Sequence, residues 1–136
     1  MEKPNVIMIL LDGLRADRLN ICPNLLNILK HGYFFSNMVT AAPYTLASLH
    51  SIFSGLYPTK NGVNSYFNMF KFKKNVCKTL AQYLQDDGYY TMVNIVDDAT
   101  IPSQGFDNIS VHNEYKDDLL QLHKSLISQT ANNKKF

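Results

Sequence analysis

The sequence predicts an α/β fold: a layered domain with a mainly parallel sheet and helices packed on it. Three observations carry the prediction. Val6 to Leu11 is an apolar run with no polar interruption, ending at the turn pair Asp12-Gly13, which suits a central strand buried on both faces. Strand-like and helix-like segments alternate along the chain, as they do when helices connect parallel strands. The composition, 46% hydrophobic and 18% charged, is that of a folded domain and not of a disordered chain.

The elements follow in order. After the first strand, Pro23 opens a helical segment with Leu25, Ile28 and Leu29 on one face, and Gly32 is placed to cap its end. Tyr33 to Val39, rich in aromatics, is the second strand, with Phe34 to Val39 as its paired part. From Thr45 to Gly55 the residues Leu46, Leu49, Ile52 and Phe53 fall at helical spacing. Thr45 stands where an N-cap belongs, Gly55 where the helix stops, and Pro58 lies just beyond. Lys78 to Asp87 is a further helix with Leu80, Tyr83 and Leu84 inward, closed by Gly88. Tyr90 to Val96 is the third strand, Gly105 to Asn108 a turn, and Glu114 to about Gln129 an amphipathic helix with Leu119, Leu122, Leu126 and Ile127 inward. The tail from Thr130 is polar until Phe136.

The whole-chain numbers exclude several classes. A length of 136 residues is one domain's worth. A net charge of +2 argues against nucleic acid or an anionic membrane surface as partner. Lys71, Lys73, Lys74 and Lys78 cluster, but apolar residues interleave them, as in a solvated loop. Cys22 and Cys77 stand far apart without CxxC spacing, so neither a disulfide framework nor a metal knuckle is indicated. The opening apolar run is far too short to span a bilayer, and no signal peptide is visible, so the chain is expected to be cytoplasmic.

Two constellations carry chemistry. In Asp12-Gly13-Leu14-Arg15-Ala16-Asp17, an acid follows the carboxyl end of the first strand, where open α/β sheets collect their ligands. In Ala42-Pro43-Tyr44-Thr45-Leu46-Ala47-Ser48, a hydroxyl begins a helix, where the dipole and unpaired N–H groups favour a phosphate or sulfate and a developing alkoxide. Each is ordinary when taken alone. Asp12 then reads as a turn aspartate, and Thr45 as an N-cap worth about 1 kcal/mol.

Together, and in this order, they resemble the N-terminal block of the alkaline phosphatase/sulfatase superfamily. The matching residues are Val6 to Leu11 with Asp12, Pro23-Asn24-Leu25, Thr45 with Ser48, and Ser54-Gly55-Leu56-Tyr57-Pro58. Thr79-Leu80-Ala81, Gly88-Tyr89 and Gly105-Phe106-Asp107 agree more loosely. Pro43-Tyr44-Thr45 is similar to the sulfatase-like branch with a threonine nucleophile. The resemblance implies an alkaline phosphatase-like layered sandwich and a metal-dependent hydrolase of phosphate or sulfate esters. Thr45 would be the nucleophile, and Asp12 with Thr45 would be ligands of a divalent cation (Mn, Zn, Mg or Ca). Arg15, Asp17 and Ser48 would support them, and the substrate would be a small-molecule or headgroup ester.

The departures from the pattern are as informative. Classical sulfatases carry a cysteine or serine at the nucleophile position for conversion to formylglycine, followed by Pro and Arg. Thr45-Leu46-Ala47-Ser48-Leu49 has nothing to oxidise to an aldehyde and no arginine, which favours phosphate over sulfate esters. Asn61 precedes Gly62 where the family often has histidine. His50 reads as a packing or surface residue and not a ligand, while His112, His123, Asp97 and Asp98 match no ligand motif. The family takes its remaining ligands from later in the chain. Residues 1–136 are therefore expected to be a partial domain lacking its C-terminal part, with an incomplete metal site, no activity alone, and exposed apolar surface through which it self-associates. Two alternatives use the same residues differently: a transferase passing the Thr45-bound phospho-group to a hydroxyl, and a truncated product with no catalytic role.

Overall fold

In the computed structural model, residues 3–112 are described; the predicted helix from Glu114 lies outside them. The contacts divide the described residues into two units, 3–39 and 40–112. In the first unit, a 3-10 turn covers Ala16–Ile21 and a short helix, α1, covers Pro23–Leu29, with proline at its first position. There Pro has the φ a helix needs and its missing N–H costs nothing. α1 ends without a left-handed glycine: Lys30 is still right-handed helical, and His31 and Gly32 bond back to Ile28 and Leu29. Gly32 is therefore not the cap the sequence suggests, because tightened i→i+3 bonds already satisfy the last carbonyls.

Two predicted strands are corrected here. Neither residues 6–11 nor residues 34–39 pair in a sheet, and both segments are exposed, Ile7 to 82% and Val39 to 85%. A strand needs a neighbour to receive its backbone N–H and C=O groups, and no described residue pairs with either segment in a ladder. No described residue of this unit is buried. An apolar run can signal a buried strand, but it supplies no partner.

The second unit has a core: Ala42, Ala47, Val63, Phe72 and Cys77 are buried, with Tyr44 and Met69 packed against them. Helix α2, Thr45–Ser54, stops at Gly55, whose φ of 65° is the left-handed value only glycine adopts freely. Its buried face is Ala47, Leu49, His50 and Ser51, while Ile52, expected inward, is exposed. α3, Pro58–Asn61, is a single turn begun by proline. Its last residue is fully buried. The Asn61 Nδ2 group donates toward Ser51 Oγ at 3.3 Å, Ser54 Oγ at 3.4 Å and the Leu56 carbonyl at 3.1 Å, and its Oδ1 accepts the Val63 N–H at 2.9 Å. One side chain thus ties α2 to α3 and to the buried Val63 that follows.

Helix α4, Leu80–Asp86, begins with a complete capping box. Gln82 N–H reaches Thr79 Oγ1 at 3.2 Å, and Thr79 N–H reaches Gln82 Oε1 at 3.0 Å, satisfying two donors that the helix cannot pair itself. Ala81 is its buried residue, and the predicted inward Leu80 and Tyr83 are exposed. The reason is the loop at Gly105 (φ 87°), which lies so close to the first turn that a Cβ on it would sit 2.2 Å from Gln82 N. Only a small face at Ala81 admits that approach.

Strand β1, Met92–Ile95, pairs in parallel with β2, Asn108–Val111, Met92 opposite Asn108 and Ile95 opposite Val111. The parallel pairing is the α/β arrangement the sequence predicts. β2 extends beyond the predicted turn, and the crossover between the strands contains no helix among the described residues. Asp107 anchors its end: the carboxylate accepts from Thr91 N–H at 2.8 Å, Thr91 Oγ1 at 2.9 Å and Gln85 Nε2 at 2.7 Å. These donors hold Asp107 below the usual carboxylate range, the Thr91 backbone N–H most of all.

Candidate active site

The first unit holds Asp12, Arg15 and Asp17; the second holds Thr45 and Ser48. Asp12 is exposed, and its Oδ1 accepts the N–H of Gly13 at 3.1 Å, with Gly13 at a φ of 72°. That is the turn geometry an aspartate before a glycine favours. Arg15 and Asp17 form a two-pronged ion pair, Nε to Oδ1 at 2.9 Å and a terminal nitrogen to Oδ2 at 2.7 Å. The pairing raises Arg15 and lowers Asp17 from their ordinary values. Both side chains are well exposed, so water weakens the attraction and the pair adds little stability. It does fix both groups on each other.

Thr45 is half-buried and is the first helical residue of α2. It is not the N-cap. That position belongs to Tyr44, with extended backbone (φ −142°, ψ 152°) and no capping side-chain bond. The contrast with α4 is plain: one helix start is closed by a Thr/Gln box, the other is left without a side-chain cap. Such an end concentrates the positive pole of the backbone dipole. Ser48 lies one turn further along α2, on the same face by helical spacing, and its Oγ sits 2.7 Å from Thr40 Oγ1.

Of the two roles open to His50, packing or surface, the structure shows packing. Its Nδ1–H donates to the Leu46 carbonyl at 2.8 Å and its ring meets Phe72 edge-on at 5.2 Å. Burial pushes its pKa down, against the smaller opposing effect of the Leu46 bond. Asp97 closes a turn by accepting the Ala99 N–H at 2.7 Å, and His112 Nδ1 sits 2.6 Å from Asn94 Oδ1. Lys71, Lys73, Lys74 and Lys78 are exposed, Lys78 pairing with Asp86 and lying over the Tyr83 ring. Both cysteines are free thiols. His123 lies outside the described residues.

Asp12 and Thr45 are oxygen donors of the kind hard divalent cations take. Among the described residues, however, no three or more His, Cys, Asp or Glu side chains group so as to hold a metal. Sequence reading passed over Thr40, the buried clasp that Asn61 makes, and the capping box. The spacing Thr79-Leu80-Ala81-Gln82 was a readable signal for the last; the other two act through contacts that no local pattern announces.

The family model described as Sulfatase matches residues 4–126. This chain belongs to the sulfatase family. An arylsulfatase from Clostridium perfringens (strain 13 / Type A) is 30% identical to it over 124 residues, covering 83% of this chain and 25% of the arylsulfatase. The chain thus spans about a quarter of the length of that sulfatase relative. No solved structure matches it. Family membership rests on this match, whose span includes the first apolar run. The matched span includes Asp12, Arg15, Asp17, Thr45 and Ser48. Among the described residues, no helix is long and apolar enough to cross a membrane.

Proposed function

We propose that this chain is the nucleophile-bearing part of a sulfatase-family ester hydrolase that favours phosphate esters. Thr45 Oγ1 attacks the ester phosphorus, and the alcohol leaves as its P–O bond breaks, taking up a proton in exchange for the one Oγ1 gives up. Water then cleaves the phosphothreonine to release the phosphate. The observation that supports this best is the position of Thr45 at the first turn of a helix with no side-chain cap. There, N–H groups and the dipole favour an anionic ester and a developing alkoxide. A threonine hydroxyl needs activation, and in this reading a divalent cation, Mn, Zn, Mg or Ca, supplies it, with Asp12 and Thr45 as candidate ligands. The other ligands come from outside the described residues. Such a cation would lower the hydroxyl's pKa when bound. The preference for phosphate rests on Thr45, which cannot become formylglycine. The arylsulfatase name of the relative keeps sulfate esters as the competing substrate class.

In this reading the 136-residue chain alone does not turn over, and its exposed apolar residues 6–11 drive self-association. The test is hydrolysis of an aryl phosphate, an aryl phosphodiester and an aryl sulfate with each of the four cations, by this chain and by a version extended through further histidine ligands. The extended protein is expected to cleave the phosphate esters, Thr45→Ala to abolish cleavage and Thr45→Ser to keep part of it. Thr45-independent turnover would overturn the assignment of the nucleophile. Robust turnover by the 136-residue chain would show its ligand set to be complete. Transfer to glycerol in place of water would favour the transferase reading.

A further inference from the structure

We propose that Thr40, through Ser48, is a positioning residue for Thr45; the inference rests on the nucleophile reading above. Two hydroxyls and a carbonyl form a short chain there. Thr40 Oγ1 lies 2.9 Å from the Ala42 carbonyl and 2.7 Å from Ser48 Oγ. A carbonyl can only accept, so the Thr40 hydrogen goes to Ala42. The Ser48 hydroxyl is then the donor to Thr40, because a hydroxyl carries one hydrogen.

Two consequences follow for the start of α2. The loop of residues 40–44 is pulled into a fixed path, with Ala42 buried in the core and Tyr44 packed on it. The far end of that path is bonded back to the first turn, bracketing Thr45 on both sides. A helix start without its own cap is otherwise prone to fray, and fraying would swing Thr45 by a backbone rotation. With its hydrogen committed to Thr40, Ser48 Oγ retains acceptor capacity only. It can accept a bond or contribute a lone pair, but it cannot donate to an ester oxygen.

The experiment uses the 136-residue chain and two substitutions. Thr40→Val keeps the shape and removes the hydroxyl; Thr40→Ser keeps the hydroxyl. Amide hydrogen exchange is followed at Ser48, whose N–H bonds to the Tyr44 carbonyl at 3.1 Å, and at Leu49, with Tyr83 in α4 as internal control. Inorganic phosphate is titrated against the amide shifts of Thr45, Leu46 and Ala47. One hydrogen bond is worth up to about tenfold in an equilibrium. Thr40→Val is therefore expected to speed exchange at Ser48 and Leu49 by up to about tenfold, leave Tyr83 unchanged and weaken the phosphate response. Thr40→Ser should match the parent. Unchanged exchange at Ser48 in Thr40→Val, equal damage in Thr40→Ser, or a proportional rise at Tyr83 would each overturn the proposal. If phosphate shifts no α2 amide in the parent, the anion-binding part of the nucleophile reading fails, and the exchange measurement still decides Thr40.

Discussion

Replacing Asn61 by alanine should be among the most damaging single changes in the second unit. The side chain is fully buried and makes four contacts, and their loss is not equally costly. Ser51 and Ser54 keep their own bonds to the Ala47 and His50 carbonyls, so neither hydroxyl hydrogen is stranded. The Leu56 carbonyl belongs to an exposed residue and can take water. The Val63 N–H cannot, because Val63 is fully buried. A buried donor left unpaired costs about 1–3 kcal/mol, and each ordinary bond lost about 1 kcal/mol. Asn61→Ala should thus lose about 3 kcal/mol, a large share of the roughly 5–15 kcal/mol that holds a domain folded. Urea unfolding of the chain followed by far-UV circular dichroism measures this as a lower midpoint at unchanged slope. A loss below about 1 kcal/mol would show that water replaces the side chain at Val63, and that the clasp between α2 and α3 is incidental.

Gly105→Ala combines a left-handed φ of 87° with a Cβ placed 2.2 Å from Gln82 N and 2.6 Å from the Ala81 carbonyl carbon. Because the obstacle is backbone, it should cost upward of about 2 kcal/mol, read by the same unfolding assay; a neutral result would mean the loop is not seated on α4. Thr79→Ala removes the capping box and the bond to the Gln104 carbonyl at 2.7 Å, for an expected loss of about 1–2 kcal/mol, with Thr79→Ser recovering most of it. His50 has its folded pKa lowered by burial, so its neutral form contributes stability that is fully present above the unfolded value of about 6.5. That stability is lost as pH falls from there through the lower folded pKa. Urea midpoints from pH 7.5 to 5 should therefore fall more steeply in the parent than in His50→Leu, and parallel curves would refute the assignment.

Some of this architecture could be read locally because local backbone preference decides it. Pro23 and Pro58 begin helices where their fixed φ fits, and Gly55 ends α2 where a left-handed residue is required. The spacing around Thr45 likewise placed α2 to within a residue, because apolar periodicity and a glycine stop agree there. The cap was misplaced by one position, since Tyr44 and not Thr45 adopts the extended backbone that precedes the first turn.

What the sequence could not decide are the features that depend on a distant partner. Residues 6–11 carry the pattern of a central strand, yet pairing is a property of two segments, and no described neighbour supplies the second ladder. Asn108–Val111 has a weak pattern and nevertheless forms β2, because Asp107, anchored through Thr91 and Gln85, brings it alongside β1. Asn61 stands where a family histidine was expected, and only the tertiary structure turns it from a missing ligand into the buried clasp of α2 and α3. Composition and spacing determined that the chain is α/β and that Thr45 begins a helix, while its motifs carried the family resemblance. Tertiary contacts decided which strand is paired and which hydroxyls hold the start of α2, because a hydrogen bond between residues far apart in the chain leaves no period in the sequence between them.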